Sequence, residues 1–112
     1  MTAAVAPLGT TSPGTIAAWA LRETRRIVCK EIGSAPAKVF LFGSWATGRA
    51  DRLSDIDVGI LPLTLLSPAL FATIRECLED SDIPFRVDVV DLSEVDEDFR
   101  ARVLREGTLW IG

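Results

Sequence analysis

The sequence predicts an α/β (α+β) domain, a small mixed β-sheet of three to four strands packed with about four helices. Short apolar runs that end at glycine or proline are typical of buried strands. Longer stretches with an apolar stripe, each preceded by a capping residue, are typical of helices. The two patterns alternate from helix to strand four times along the chain, which favours an α/β sandwich around one sheet. With 112 residues the chain has room for one domain, predicted over 13–112 after a disordered lead at 1–12.

The helices are predicted from their first residues. Ser12-Pro13 and Ser67-Pro68 each place a capping hydroxyl before a proline at the first helical position. Asp96 caps the last helix, and Gly107 ends it. The predicted helices cover about 14–32, a short segment that opens at Ser44, 68–79 and about 97–106.

The strands follow from the apolar runs between these helices. Lys38–Phe42 is almost continuously apolar and ends at Gly43, as a buried strand does. The second predicted strand, 55–61, alternates carboxylate with aliphatic residues and stops at Pro62. The third covers 84–91, and 108–111 could add a fourth.

Composition limits the chemistry that the chain can perform. It contains no histidine, which excludes histidine–metal, Ser-His and Cys-His chemistry. The net charge of −4 argues against a protein that coats nucleic acid, so no direct nucleic-acid binding is expected. The two cysteines, Cys29 and Cys77, are expected to be free thiols in a cytoplasmic protein, because there is no signal peptide or long apolar span.

The turn after the first strand is a candidate phosphate site. Gly43 lets the backbone turn without a β-carbon clash, so a phosphate can come close. The helix that opens at Ser44 offers free N–H groups and the positive end of its dipole, and the Ser44 hydroxyl adds a donor. Taken alone, the pair fits an ordinary helix cap equally well.

Asp55 and Asp57 are candidate metal ligands. Residues two apart in a strand point to one face, with about 6.6 Å between their α-carbons. Such carboxylates can converge on two metal ions about 3.5–4 Å apart. The aliphatic residues Ile56, Val58 and Ile60 indicate a central strand, where unpaired carboxylates are costly. Like charges in such a place need a cation, and magnesium prefers oxygen ligands.

A third carboxylate is expected from the next strand. Asp88 lies among valines and is the preferred ligand. Asp91 points to the opposite face at the strand's end, where a turn-capping role suits it better, and it is the fallback.

A family resemblance rests on these residues. Gly-Ser, ten residues and Asp-x-Asp form the signature of the DNA polymerase β-like nucleotidyltransferase superfamily. The string GSWATGRADRLSDIDVGI resembles the minimal nucleotidyltransferases of prokaryotes. The later FRVDVVDL and DEDFRARVLREGTLWI are similar to the closing strand and helix of that family. The resemblance covers about 38–111 and implies the nucleotidyltransferase fold.

The resemblance also implies roles for individual residues. Gly43 and Ser44 would hold the triphosphate of ATP, and Asp55 and Asp57 would bind two magnesium ions. Asp88 would complete the metal that activates the acceptor hydroxyl, which attacks the α-phosphorus as pyrophosphate leaves.

Other residues near the motif allow two interpretations. Arg49 and Arg52 could contact phosphate or could be solvated loop arginines. We assign Arg49 to the nucleotide site. Trp45 could stack on the base or pack under the short helix, and packing is slightly favoured.

The resemblance implies a partner as well. Minimal nucleotidyltransferases accompany a HEPN-domain ribonuclease toxin from a neighbouring gene, and some transfer AMP to that toxin. The expected function is therefore an antitoxin and protein adenylyltransferase in a hetero-oligomer, with no membrane association. Two alternatives stay open: an antitoxin that only masks the toxin, and a transferase acting on a small molecule such as an aminoglycoside. The apolar segment Leu61–Leu66 is the candidate contact with a partner, or an ordinary connection folded onto the sheet.

Overall fold

The computed structural model describes residues 13–51 and 54–112. The predicted disordered lead at 1–12 and the loop residue Arg52 lie outside the described residues. Helices and strands alternate in the predicted order. They are α1 (Pro13–Ile32), β1 (Ala37–Phe42), α2 (Ser44–Thr47), β2 (Ile56–Pro62), α3 (Pro68–Glu79), β3 (Val87–Asp91), α4 (Glu97–Glu106) and β4 (Thr108–Ile111).

Four predicted strand boundaries were wrong by one to three residues. β1 begins at Ala37, one residue before Lys38, and β2 includes Pro62. β2 begins at Ile56, so Asp55 directly precedes it. β3 begins at Val87 instead of at Pro84. Proline has no N–H to donate to a ladder, and pairing with β2 starts only where the carbonyl of Arg86 accepts from the N–H of Ile56, at 2.9 Å.

The sheet is mixed, as predicted, with the strand order β3-β2-β1-β4. β1 is antiparallel to both β2 and β4, and β2 is parallel to β3. β2 is therefore a central strand, and α3 forms the crossover that a parallel pair requires. Phe42 lies opposite Asp57 in the antiparallel register, and Asp88 lies beside Asp57 in the parallel one.

The two faces of the sheet are covered differently. Ile56, Val58 and Ile60 are fully buried on the face that packs against α1 and α3. The intervening residues of β2 point the other way. On that second face α4 contributes Val103 to a smaller cluster with Leu92. Asp57 lies among those intervening residues and faces a cavity that α4 also lines.

The predicted caps of the later helices are confirmed. The Ser67 hydroxyl accepts a hydrogen bond from the N–H of Ala69 at 3.1 Å. The Asp96 carboxylate accepts one from the N–H of Phe99 at 2.8 Å. Each bond satisfies one of the N–H groups that lack a partner in the first turn of a helix.

Two further expectations concern the whole chain. Cys29 and Cys77 are both free and partly buried, as predicted. None of the helices within 13–51 and 54–112 combines the length and apolarity needed to cross a membrane.

We expect Gly59→Ala to destabilise the protein by about 1–3 kcal/mol through overpacking. A β-carbon at Gly59 would lie 2.9 Å from Cδ1 and 3.2 Å from Cγ of the fully buried Leu92. Leu92→Ala removes those atoms, so the Gly59→Ala/Leu92→Ala double variant should lose clearly less stability than the two single changes added together. Urea unfolding of the four proteins measures this, and strict additivity would contradict the predicted contact.

Candidate active site

Gly43, the first residue after β1, allows the site to form. Its φ of 75° and ψ of −156° belong to a backbone region that essentially only glycine occupies. A β-carbon built on Gly43 would overlap the Oδ2 atom of Asp57 and would lie 3.2 Å from Asp57 Cγ. The Asp57 carboxylate therefore occupies the space that a side chain at position 43 would fill. The predicted phosphate turn and the predicted metal ligand are thus in direct contact.

The turn continues as one helical turn, α2, from Ser44 to Thr47. Gly48 ends it in the left-handed conformation at φ 76°, and the N–H of Arg49 donates to the carbonyl of Ser44 at 2.9 Å. A single turn has only a small dipole, because the macrodipole sums over aligned peptide units. Individual N–H groups and the Ser44 hydroxyl are therefore the donors that the turn can offer to an anion.

The structure brings Asp57 and Asp88 together. They are neighbours in the parallel register of β2 and β3, so their side chains share the second face. The pKa of Asp57 is raised from 3.8 to about 6, first by burial and then by the negative charges of Asp88 and Asp55, in that order. Both neighbours are exposed, whereas Asp57 is partly buried. Asp57 is thus the member of the acidic group whose charge is least favourable in the folded protein.

The predicted metal site is only partly assembled. Among residues 13–51 and 54–112, no three acidic or cysteine side chains converge closely enough to hold a metal ion. The chemistry of Asp55, Asp57 and Asp88 nevertheless fits magnesium, because all their donors are carboxylate oxygens. The raised pKa of Asp57 reflects burial first and repulsion from Asp88 and Asp55 second, and a bound cation would offset both.

Asp91, the fallback ligand, lies elsewhere. Its Oδ1 accepts hydrogen bonds from the N–H of Ser93 at 2.9 Å and from the Ser93 hydroxyl at 2.6 Å. Asp91 therefore caps the turn after β3, and its position favours Asp88 as the third carboxylate of the group.

A cavity of about 350 Å³ connects the turn, Asp57 and α4. Four predicted site residues line it, while Asp55 and Asp88 do not. Sequence reasoning missed Arg102 and Glu106, because nothing local shows that α4 packs over the turn. Arg102 lies three residues after Phe99 and Glu106 three after Val103, so helical spacing sets each beside an inward residue of α4, but it does not show what they face. The lining residues are Phe42, Gly43, Ser44, Thr47, Arg49, Asp57, Arg102, Val103 and Glu106.

Trp45 lies outside this cavity and packs, as slightly favoured from the sequence. Its indole Nε1 donates to the carbonyl of Ser54 at 3.1 Å. Its ring meets Phe85 edge-on, with 5.1 Å between the ring centroids. Trp45 thereby fastens α2 to the residue that precedes Asp55.

A larger cavity, of about 600 Å³, lies at the carboxyl end of β2 near α3. It contains Asp91 and most of the apolar segment predicted to contact a partner, but no other predicted site residue. Its lining is richer in apolar side chains than that of the smaller cavity, with three leucines and Phe71, and it contains no glycine. The lining residues are Pro62, Leu63, Thr64, Leu65, Leu66, Pro68, Phe71, Arg75, Asp91, Ser93 and Glu94.

Comparisons with known proteins identify the family of this chain. The family described as polymerase β, nucleotidyltransferase matches residues 13–111. A probable protein adenylyltransferase, MntA of Haemophilus influenzae, is 37% identical over 62 residues, which cover 55% of this chain and 54% of the relative. The chain thus matches about half the length of that curated relative.

Solved structures show the same fold. A protein assigned as a minimal nucleotidyltransferase is 30% identical with a TM-score of 0.64, and the match covers 79% of this chain and 90% of the other. A toxin–antitoxin structure with AMP-PNP is 25% identical with a TM-score of 0.62, covering 79% and 73%. A complex of tri-AMPylated Shewanella oneidensis HEPN toxin with MNT antitoxin is alike in fold, at 21% identity and a TM-score of 0.61, covering 85% and 71%.

We expect Asp57→Asn to raise the melting temperature of the metal-free protein near pH 8. The folded state holds a proton on Asp57 up to about pH 6, whereas the unfolded chain loses it near 3.8, so the ionised group destabilises the fold above pH 6. Allowing for partial exposure, the gain should be about 1–2 kcal/mol. It should shrink as pH falls from 6 towards 4, because folded Asp57 is then protonated and uncharged, and it should vanish below about pH 3.8, where both states hold the proton.

The control is Asp98→Asn, an exposed acid in the first turn of α4. Its loss should lower stability slightly, because acids stabilise helix N-termini. Thermal unfolding between pH 4 and 8 measures both variants, and a destabilised Asp57→Asn at pH 8 would contradict the expectation.

Gly43→Ala should be far more damaging than Gly48→Ala. Both glycines have φ near 75°, but a β-carbon at Gly48 meets nothing within 4 Å. Gly48→Ala should cost about 1–2 kcal/mol of backbone strain. Gly43→Ala adds the overlap with Asp57, so it should cost more and also displace the carboxylate. Unfolding free energies and magnesium-dependent stabilisation measure this, and equal losses from the two variants would count against it.

Proposed function

We propose that this chain, which belongs to the polymerase β nucleotidyltransferase family, transfers a nucleoside monophosphate, AMP in our proposal, from a nucleoside triphosphate to a hydroxyl of a partner protein. In this proposal it is the cytoplasmic antitoxin of a HEPN ribonuclease toxin. The observation that carries it is the contact between Gly43 and Asp57, which joins a phosphate-binding turn to a metal-binding carboxylate in one cavity. A nucleotidyltransferase needs its phosphate-binding turn and its metal ligands close enough to contact the same triphosphate.

The cavity supports binding of the triphosphate. Gly43 lets the phosphates approach the backbone, and the Ser44 hydroxyl and the N–H groups that open α2 donate to their oxygens. Arg49 lines the same cavity and supplies positive charge in a planar fork that matches phosphate oxygens.

Asp55, Asp57 and Asp88 are the proposed magnesium ligands and catalytic carboxylates. Magnesium bound there would neutralise charge on the phosphates and lower the pKa of the attacking hydroxyl. Asp88 is exposed beside Asp57, so it is accessible to an incoming acceptor and is our candidate for taking the hydroxyl proton. The oxygen of that hydroxyl bonds to the α-phosphorus, and the bond to pyrophosphate breaks.

The acceptor belongs to a second molecule in this proposal. The chain contains no tyrosine, so it cannot accept AMP on a tyrosine hydroxyl of its own. The similarity to MntA and to a toxin–antitoxin structure with AMP-PNP supports a toxin as that partner and ATP as the substrate. The tri-AMPylated HEPN toxin found with an antitoxin of like fold agrees with the same assignment.

The segment Leu61–Leu66 is the proposed contact with the toxin. The Leu63 side chain is 56% exposed, and Leu65 is fully exposed. Exposed leucines beside an apolar cavity are typical of a surface that a partner covers. This segment is well separated along the sheet from Asp57, so contact and chemistry can be tested by separate variants.

The proposed activity is tested with the product of the neighbouring gene. The purified protein is incubated with that partner, labelled ATP and magnesium, and the partner is analysed by mass spectrometry. We expect mass gains of whole AMP units that fall at least 100-fold in rate in Asp55→Asn/Asp57→Asn, because losing metal-ion catalysis removes several kcal/mol of transition-state stabilisation. Omitting magnesium should abolish the gain, and manganese is the substitute to compare.

The matched control is Leu65→Ser, which leaves the carboxylates in place. It should weaken partner binding while the chain still binds ATP. A partner that is bound tightly but never modified would favour masking without chemistry. Consumption of ATP with a small hydroxylated compound, and none with the partner, would favour the small-molecule transferase.

A further inference from the structure

We propose that Arg102 of α4 binds the phosphate chain of the nucleotide from the wall opposite Ser44 and Arg49. This inference rests on the proposed function and assigns a further residue to the same site. Arg102 lines the cavity together with Asp57. No motif of the sequence marks it, because it reaches the site only through the packing of α4 on the second face of the sheet.

The charge of the cavity requires such a residue. Asp57 and Glu106 both line it, so an incoming polyanion meets two carboxylates there. Arg49 and Arg102 are the two cationic residues among the described lining. Both are exposed, but Arg49 follows Gly48 on a loop, whereas Arg102 is carried by a helix of ten residues. The helix fixes the backbone from which the Arg102 guanidinium extends.

The other arginines of α4 have different partners. Arg100 donates through Nε to the carbonyl of Leu92 at 2.7 Å and through a terminal nitrogen to the carbonyl of Val95 at 3.1 Å. Arg105 forms an exposed ion pair with Glu106 at 3.8 Å. Within the part of the chain that the structure describes, Arg102 has no hydrogen bond or ion pair to an oxygen. Its five N–H donors are available to a ligand.

An aromatic stack positions this guanidinium. The central carbon of the Arg102 guanidinium lies 5.7 Å from the centroid of the Phe99 ring, within the range of a cation–π interaction. Phe99 in turn meets Phe42 edge-on, with 5.6 Å between centroids. Phe42 is the last residue of β1 and directly precedes Gly43. The stack therefore links the arginine on α4 to the phosphate turn and leaves the edges of the guanidinium open.

Binding of ATP, AMP and adenosine to Arg102→Gln and Arg102→Lys tests the proposal, by calorimetry with magnesium present. We expect Arg102→Gln to weaken ATP binding by about 10-fold or more, since a hydrogen bond to a charged group is lost. Adenosine binding should stay within about 2-fold, because the contact is to phosphate. Arg102→Lys should recover part of the ATP affinity, since it keeps the charge and loses the fork.

Arg105→Gln is the matched control. It removes the same charge from the same helix at a residue that does not line the cavity. It should leave ATP affinity within about 2-fold, and equal losses from Arg105→Gln and Arg102→Gln would overturn the direct contact in favour of a general charge effect. Unchanged ATP binding in Arg102→Gln would overturn the proposal for Arg102 alone. A wild-type protein that binds no nucleotide would overturn it together with the proposed function.

Discussion

The close approach of Gly43 to Asp57 is the constraint on which the rest of the site depends. It follows from the antiparallel pairing of β1 and β2, in which Phe42 lies opposite Asp57 and Gly43 is the first residue after the paired segment. The helical turn α2 follows Gly43 directly, and the bond from Trp45 Nε1 to the Ser54 carbonyl joins that turn to the residue before Asp55.

Apolar packing on one face of the sheet stabilises the strand whose other face carries the carboxylates. Ile56, Val58 and Ile60 are fully buried against α1 and α3, while the Asp57 carboxylate of the same strand lies on the opposite face. A slip of one residue would exchange these sets, burying charge and exposing isoleucine, so the register is strongly specified. Packing that is independent of the site can therefore hold Asp57 in a position where its charge is unfavourable. Such unfavourable placement of titratable groups is typical of functional sites.

Most of the fold could be predicted from local signals. Caps such as Ser67 and Asp96, and the apolar run that ends at Gly43, have chemical reasons that act within a few residues, and the helices and strands that they mark are present. The start of β3 was placed three residues early, because strand-like composition around Phe85 did not reveal that this ring packs against Trp45. Arg102 could not be predicted as a site residue at all. Its position depends on how α4 crosses the sheet, which no local pattern encodes.

The division of the carboxylates has a physical cause of its own. Asp57 is enclosed by the turn, while Asp55 lies before the strand and Asp88 lies on the edge strand, and both of these are exposed. Without a cation, hydration of the exposed carboxylates and their mutual repulsion favour separation over convergence. In the proposed function, a metal ion would supply the positive charge that lets all three carboxylates converge. The turn at Gly43, held by the pairing of β1 with β2, would then set where the phosphates lie, and the exposed carboxylates would orient towards the metal.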